Sequence, residues 1–544
     1  MTEKNKIYEE NVVDLTVNGD GIVKIDSYPV FVAGSLPGDR ISFRVTKVNK
    51  TYGFGKLIKI LKPSPHRRTA ICPSFCDCGG CMLMHYDYEA QLKYKSDFVL
   101  SNLVRIGGYD EGSFEYEPII GADNEYHYRN KAQFPVGIKD GRAVCGFFAP
   151  KSHEIISSEH CYIQNETINN AVSAVMDYIR QNKISVYNEK NHKGVVRHIY
   201  ARVGEENGEL MICIVTNSKE KLPRIDLLIE NLLKFGLKSF VQNVNTKKTN
   251  VILGDENIVL YGSDSINITV DELTFKVNPH SFFQVNTSQM KKLYSKALEY
   301  AGVSKDDTVF DLYCGVGSIS LYLAKCAKKV IGVEIVPQAI DNAKENAALS
   351  GVDNALFYCG DCTEVVEKLL QSGERADVAV VDPPRKGCDE KLLELLKNMN
   401  PKRIVYVSCN SSTLARDVAI LRDMGYVMKK ACAADMFPQT GHVEAVVLLS
   451  QLKPDDVIEV DIDLDELDIT SSESKATYEE IKAYVLDKYS FKVSSLYIAQ
   501  IKTKYGIKDG INYNLSKKGS RVPTCPPDKE KAITEALKYF KMIG

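Results

Sequence analysis

The most restrictive feature of the chain lies between residues 308 and 409, where short apolar runs alternate with amphipathic stretches. "TVFDLY", "VIGVEIV", "ADVAVVD" and "RIVYVSC" read as strands, while "SLYLAKCAKK", "AIDNAKENAALSG" and "KLLELLKNM" carry helical periodicity. Alternation at this spacing means βαβ units around an interior parallel sheet, an α/β fold of Rossmann-like type. Open sheets of this kind bind ligands beyond the carboxyl ends of their strands. Cys409 is the residue that most needs explaining. It ends the run "IVYV" (404–407) and is followed by the capping residues "NSS" and the helical stretch "TLARDVAILRDMG". A cysteine there is either a small core hydrophobe or a group presented to a ligand.

The rest of the chain divides around this core. Residues 7–62 alternate apolar and polar residues in short segments punctuated by Gly19, Gly21, Pro37-Gly38 and Gly53, which predicts an antiparallel β-barrel within 1–64. A mixed α/β domain is expected over 65–270, with a cysteine-rich start, followed by the Rossmann-like domain over 271–452. Residues 453–476 are strongly acidic and read as a linker, and 477–544 as a basic helical accessory module with thirteen Lys/Arg against seven Asp/Glu. "MTEKNKIYEE" has no secretory apolar core, and no apolar run approaches the roughly 18 residues of a membrane span. The expectation is a cytoplasmic monomer with no membrane partner. In that reducing compartment fifteen cysteines point to metal, cluster or thiol chemistry rather than disulfides. From Arg40 to Arg68 there are nine Lys/Arg and no acid, interleaved with Phe43, Tyr52 and Phe54. Cations mixed with aromatics favour a polyanion partner over a merely solvated face.

"TVFDLYCGVGSISLYLA" (308–324) is a strand, a tight glycine turn and a helix start. Gly315 and Gly317 allow close backbone approach to a ligand. The next strand ends in Glu334, placed to bond ribose hydroxyls. The third glycine of a dinucleotide fingerprint is missing, so S-adenosylmethionine fits better than NAD. Asp361 in "YCGDC" follows a third strand, where it would meet the adenine, and Asp382 in "VDPPRKG" ends a fourth. Four polar strand tips in one sheet make a methyltransferase the reading of this domain.

The segments "NPHSFFQVN" (278–286), "DLYCGVGSISL" (311–321), "VDPPRKG" (381–387), "VSCN" (407–410) and "DMFPQTGHVEAVVLL" (435–449) together resemble the RNA uracil-C5 methyltransferases. The nearest resemblance is to the 23S ribosomal RNA enzymes that carry an N-terminal TRAM barrel and an iron–sulfur cluster. It spans residues about 10–450 and implies cofactor contacts at Gln284, Tyr313, Glu334 and Asp382, a nucleophile at Cys409 and a base at Glu444. Ser318 departs from the family pattern, in which bacterial relatives commonly carry asparagine. The chemistry answers the question that Cys409 raises. C5 of uracil is a poor nucleophile, and a thiolate adding to C6 converts the base to an enolate with charge on C5. A base must later remove the C5 proton. His442 is placed to assist, and Phe282 and Phe283 either line a pocket for the flipped base or belong to the core.

"CPSFCDCGGCM" provides Cys72, Cys78 and Cys81, with Cys76 as an extra thiol, and Cys161 follows eighty residues after Cys81. Four thiolates suit either a four-iron cluster or zinc. The resemblance implies [4Fe–4S] on Cys72, Cys78, Cys81 and Cys161. A radical enzyme is excluded by spacing, because Cys78 follows Cys76 after a single residue. The resemblance also makes Arg129, Lys131 and Arg197, in "YHYRNKAQFPV" and "GVVRHIYARVG", candidate RNA contacts. The expected function is m5U formation in 23S rRNA. The alternatives are the tRNA T-loop uracil, or a non-catalytic RNA-binding protein on the same fold.

Overall fold

The computed structural model describes residues 2–451, 478–489, 491, 493–505, 525–540 and 542–543. The acidic segment expected as a linker, and part of the basic module after it, lie outside the described residues.

Strands Ile7–Leu15, Gly21–Ile25, Tyr28–Val32, Arg40–Val48 and Gly53–Lys62 close into a barrel. Its interior follows from period-two alternation: "RISFRVTKV" turns Ile41, Phe43 and Val45 inward, and leaves Arg40 and Arg44 exposed. Gly55 has no substitute, since a Cβ there would lie 2.7 Å from Phe43 and 3.0 Å from Val32. Outside, Phe31, Tyr52 and Phe54 form an aromatic cluster with ring centroids 5.5 to 5.8 Å apart.

The central sheet has seven strands, in the order Glu256–Gly262, Leu237–Val244, Leu210–Thr216, Val196–Val203, Lys131–Lys139, Arg142–Phe148, Ile155–Ser157. Helices Glu166–Gln181 and Ile225–Leu233 bury their apolar stripes against one face. The other face contributes Tyr200, Met211, Cys213, Val215 and Val241 to the large core shared with Phe275, Phe283 and Met290.

The third sheet has eight strands, in the order Ala355–Cys359, Lys329–Glu334, Thr308–Leu312, Val378–Val381, Arg403–Ser408, Glu444–Gln451, Tyr426–Ala434, Glu115–Ile120. The first five are parallel and the strand from Glu444 runs antiparallel. Here the expected domain boundaries are corrected. Strand Glu115–Ile120 and helix Tyr88–Arg105 belong to this sheet and its helical layer, not to the central domain. The strand pairs with 430–434, and Lys430 reaches Glu115 at 3.0 Å and Glu117 at 3.2 Å. The helix is tied to helix Ser411–Asp423 by Asn102 Nδ2 donating to Ser411 Oγ at 2.7 Å.

By itself, the C-terminal part consists of helices Tyr478–Tyr489, Ser495–Lys504 and Pro527–Tyr539 around Ile481, Val485, Ile498, Ile533 and Leu537. Among the described residues no helix is long and apolar enough to cross a membrane.

Candidate active site

The tips of the parallel strands carry the residues that the sequence singles out. After strand Thr308–Leu312 the backbone turns left-handed at Tyr313 (φ 65°), Gly315 (φ 55°) and Gly317 (φ 79°) before helix Ser318–Ala324 begins. A Cβ on Gly315 would meet nothing within 4 Å, so the turn faces open space there. Glu334 accepts from Gly315 N at 3.2 Å through one oxygen and from Val336 N at 3.0 Å through the other. Its carboxylate thus fixes the glycine turn from the neighbouring strand tip. Asp361 is exposed and caps helix Cys362–Gln371, accepting from Thr363 N at 2.9 Å. Ser318 Oγ lies 3.0 Å from Tyr294 OH, so that hydroxyl is engaged with the protein. The Gln284 carbonyl accepts from Asn130 Nδ2 at 3.0 Å. Of the paired phenylalanines, Phe283 is core, packed on Phe275 at 5.3 Å, whereas Phe282 is 68% exposed.

Cys409 follows strand Arg403–Ser408, whose last residue pairs with Ala445. Cys409 is the next residue in the chain, and Glu444, the residue before Ala445, opens its own strand and acts on the thiol by charge. Burial pushes the Cys409 thiol up, and Glu444 and Asp382 push it in the same direction, while the Arg385 side chain opposes them by charge and hydrogen bond. Glu444 is 5% exposed, and burial, with Asp382 adding to it, lifts its carboxyl to about 8 against the pull of Arg385. Burial and the Asp311 charge lift Asp382 to about 7. At the ends of three adjacent strands, Asp382 and Arg385 thus act in opposite senses on both the Cys409 thiol and the Glu444 carboxyl. Arg385 is the member that sequence reasoning passed over. Its signal was its position three residues after the strand-tip aspartate in "DPPRKG".

The loop that delivers Glu444 is held unusually tightly. Asp435 accepts from Lys95 Nζ at 2.6 Å and from Tyr88 OH at 3.1 Å. Gln439, fully buried at φ 70°, accepts through its carbonyl from Met82 N at 2.8 Å and Leu83 N at 2.9 Å, and the Tyr128 hydroxyl donates to the Pro438 carbonyl. His442 stands edge-on to Phe437, and burial with the nearby cations Arg385, Lys95 and Arg129 depresses its basicity.

Cys72, Cys81 and Cys161 border a small core of Met84, Tyr128 and Ile163. Cys81 feels the charges of Cys161, Cys78 and Cys72, and Cys161 those of Cys78 and Cys72, whereas Cys76 is exposed. The donor set suits a soft metal centre in kind. Among the described residues, however, no three His, Cys, Asp or Glu side chains converge closely enough to form a closed metal-binding group.

The three basic candidates fare differently. Arg129 and Lys131 are partly exposed. Arg197 is corrected: it is 6% exposed, lies over the Tyr187 ring at 4.4 Å, and donates to the carbonyls of Asn245, Lys247 and Thr249 at 2.6, 2.9 and 3.2 Å. It braces the 245–249 loop and is not open to a phosphate.

This arrangement has known counterparts. The family model described as tRNA (Uracil-5-)-methyltransferase matches residues 87–452, and a TRAM domain model matches 2–58. The chain belongs to the RNA uracil-C5 methyltransferase family. The match begins at the helix that joins the eight-stranded sheet, in keeping with the corrected boundary. An RNA methyltransferase of Halalkalibacterium halodurans is 46% identical over 448 residues, which is 82% of this chain and 97% of the relative. One from Clostridium tetani is 44% identical over 450 residues, 82% of this chain and 97% of the relative. Among solved structures, the Pyrococcus abyssi tRNA (uracil-54, C5)-methyltransferase with S-adenosyl-L-homocysteine is similar at a TM-score of 0.66. It is 30% identical, with 81% of this chain and 100% of that one covered. The protein is an S-adenosylmethionine-dependent RNA methyltransferase with an N-terminal TRAM barrel.

Proposed function

We propose that this enzyme forms 5-methyluridine in 23S ribosomal RNA, with Cys409 as nucleophile and Glu444 as base. The observation that carries the reading is the convergence of the Cys409 thiol, the Glu444 carboxyl and the Arg385 guanidinium beside Asp382. The glycine turn at 313–317, with Gln284, Glu334 and Asp382, would hold S-adenosylmethionine, and the exposed Asp361 could reach its adenine with the oxygen not used in capping. Bound there, the cofactor supplies an electrophilic methyl group.

The chain's own residues do the rest. Arg385 favours the thiolate, and the Cys409 sulfur adds to C6 of the flipped uracil, moving the C5=C6 electron pair toward C5 and O4. Once C5 carries its methyl, Glu444 takes the C5 proton. The electron pair of that C–H bond re-forms the C5=C6 double bond and expels the Cys409 thiolate. Glu444 must be ionised to do this, and a carboxyl tuned toward neutrality is the stronger base.

Cys72, Cys78, Cys81 and Cys161 are proposed to carry a [4Fe–4S] cluster, supported by the electrostatic proximity of these four thiols, with Cys76 the exposed thiol of the segment. Bound there, the cluster would be architectural: Met82 and Leu83, directly after Cys81, hold the carbonyl of Gln439 in the loop that leads to Glu444. The TRAM barrel and these cysteines support ribosomal RNA. A second reading, the tRNA T-loop uridine, is favoured by the likeness to a tRNA (uracil-54, C5)-methyltransferase. The test is methyl transfer from labelled S-adenosylmethionine to 23S rRNA and tRNA transcripts, followed by nuclease digestion and nucleoside mass analysis. Methyluridine in rRNA alone supports the first reading, methylation of tRNA alone replaces it with the second, and no methyluridine in either refutes both.

A further inference from the structure

Three successive inward residues of strand Val196–Val203 each bury a polar atom without a hydrogen-bond partner: His198 Nδ1, Tyr200 OH, and Nε, Nη1 and Nη2 of Arg202. They share one face, because residues two apart on a strand point the same way. Arg202 is 0% exposed. The Tyr200 hydroxyl acts on the guanidinium by charge and as a side-chain hydrogen-bond partner, but the contact falls short of good bond geometry and Tyr200 carries no negative charge to balance the cation. Directly opposite Arg202 in the antiparallel register stands Lys131. Burial, Arg202 and Arg129 depress the Lys131 ammonium to about 8, and among the described residues no acid figures in the groups acting on either Lys131 or Arg202.

A fully buried guanidinium with no counter-charge costs several kcal/mol, more than any structural gain visible around it. Its location gives the cost a purpose. Asn130, next to Lys131, bonds the Gln284 carbonyl and Thr287 Oγ1, both at 3.0 Å, which ties the chain at Lys131 to the segment that carries the proposed cofactor contact. Arg129 also acts on His442, so the positive charge extends from Arg202 toward the catalytic loop.

We propose that Arg202 and Lys131 form a closed anion site that takes one phosphodiester of the RNA substrate close to the target uridine. Lys131, partly exposed, is the entrance, and its side chain moves when the phosphate reaches Arg202. The phosphate would complete the guanidinium's hydrogen bonds bidentately and could accept the Tyr200 hydroxyl. The inference rests on the RNA-methylating reading above. Within it, the other oxyanion source is the carboxylate of S-adenosylmethionine.

The test uses the full-length protein and the transcript that the wild type methylates. Binding of RNA and of S-adenosylmethionine is measured for wild type, Arg202→Gln, Arg202→Met and Lys131→Gln across a salt series. The site predicts that each variant binds RNA about tenfold more weakly. The slope of log affinity against log salt should fall by about 0.7–0.9 per lost phosphate contact, with cofactor affinity unchanged. Arg202→Met should also melt above the wild type, because an uncompensated buried charge has been removed. Unchanged slopes with lower melting temperatures would overturn the proposal and make the cations structural. Weaker cofactor binding at an unchanged RNA slope would assign the site to the cofactor carboxylate instead. Lys131→Gln decides the matter if the Arg202 variants fail to fold. A wild type that neither binds nor methylates RNA would instead fail the underlying reading.

Discussion

Lys95 Nζ lies 2.6 Å from Asp435 Oδ1, and both side chains are fully buried. This pair joins the helix after the cysteine segment to the loop that presents Glu444. Burial depresses the lysine's basicity and Asp435 opposes that effect. Removing one partner would strand a buried charge, at a cost of about 3–5 kcal/mol, whereas replacing both by apolar residues costs far less. Lys95→Met and Asp435→Leu should each lower the urea midpoint strongly, and the double variant should recover much of it. Equal losses in single and double variants would show that the pair is not the coupling element.

The pH dependence follows from Glu444. Its folded carboxyl titrates near 8, against 4.5 for an ordinary glutamate. The folded chain therefore holds a proton that the unfolded chain has released, so this group's stabilising contribution is complete below about 4.5 and is lost as pH rises through about 8. Glu444→Gln removes that component, and its melting temperature should fall less than the wild type's between those limits. The requirement for a carboxylate and a thiolate makes kcat/KM of the wild type rise over the same range. A flat profile would contradict the assigned roles.

Arg385 is predicted to set the reactivity of Cys409. It acts on both the thiol and Glu444, and it favours the ionised form of each. Arg385→Met should shift the pH–rate profile in the alkaline direction by on the order of one unit and slow alkylation of Cys409 by iodoacetamide at neutral pH. Alkylation as fast as in the wild type would remove Arg385 from the site.

Cys76 and Cys81 are predicted to differ as cluster ligands. Cys76→Ser should retain the iron and sulfide of anaerobically purified enzyme, while Cys81→Ser should lose them along with much of the activity, because Met82 and Leu83 would release Gln439. Equal metal contents in the two variants, or zinc in place of iron, would reassign the centre.

Much of this architecture was legible in the sequence because it rests on local periodicity. Barrel strands alternate at period two, and the parallel strands are short apolar runs ended by polar tips. What escaped depends on distant pairing or on side-chain direction. "EYEPII" says nothing of the edge it joins, which is set by residues 430–434. Arg197 and Lys131 read alike in the sequence, yet one braces a loop from within and the other reaches solvent. Arg202 lies in a strand pattern where an arginine is expected outside, and its burial becomes visible only once the central sheet is covered by the 266–301 region.

The most direct measurement is covalent trapping. RNA transcripts containing 5-fluorouridine are incubated with S-adenosylmethionine and either wild-type or Cys409→Ala enzyme, then run on a denaturing gel. Fluorine at C5 cannot leave as the proton does, so a slowly migrating protein–RNA adduct is expected in the wild type and none in the variant. Methyluridine formation on normal RNA with no trapped adduct, or an adduct that persists in Cys409→Ala, would contradict it.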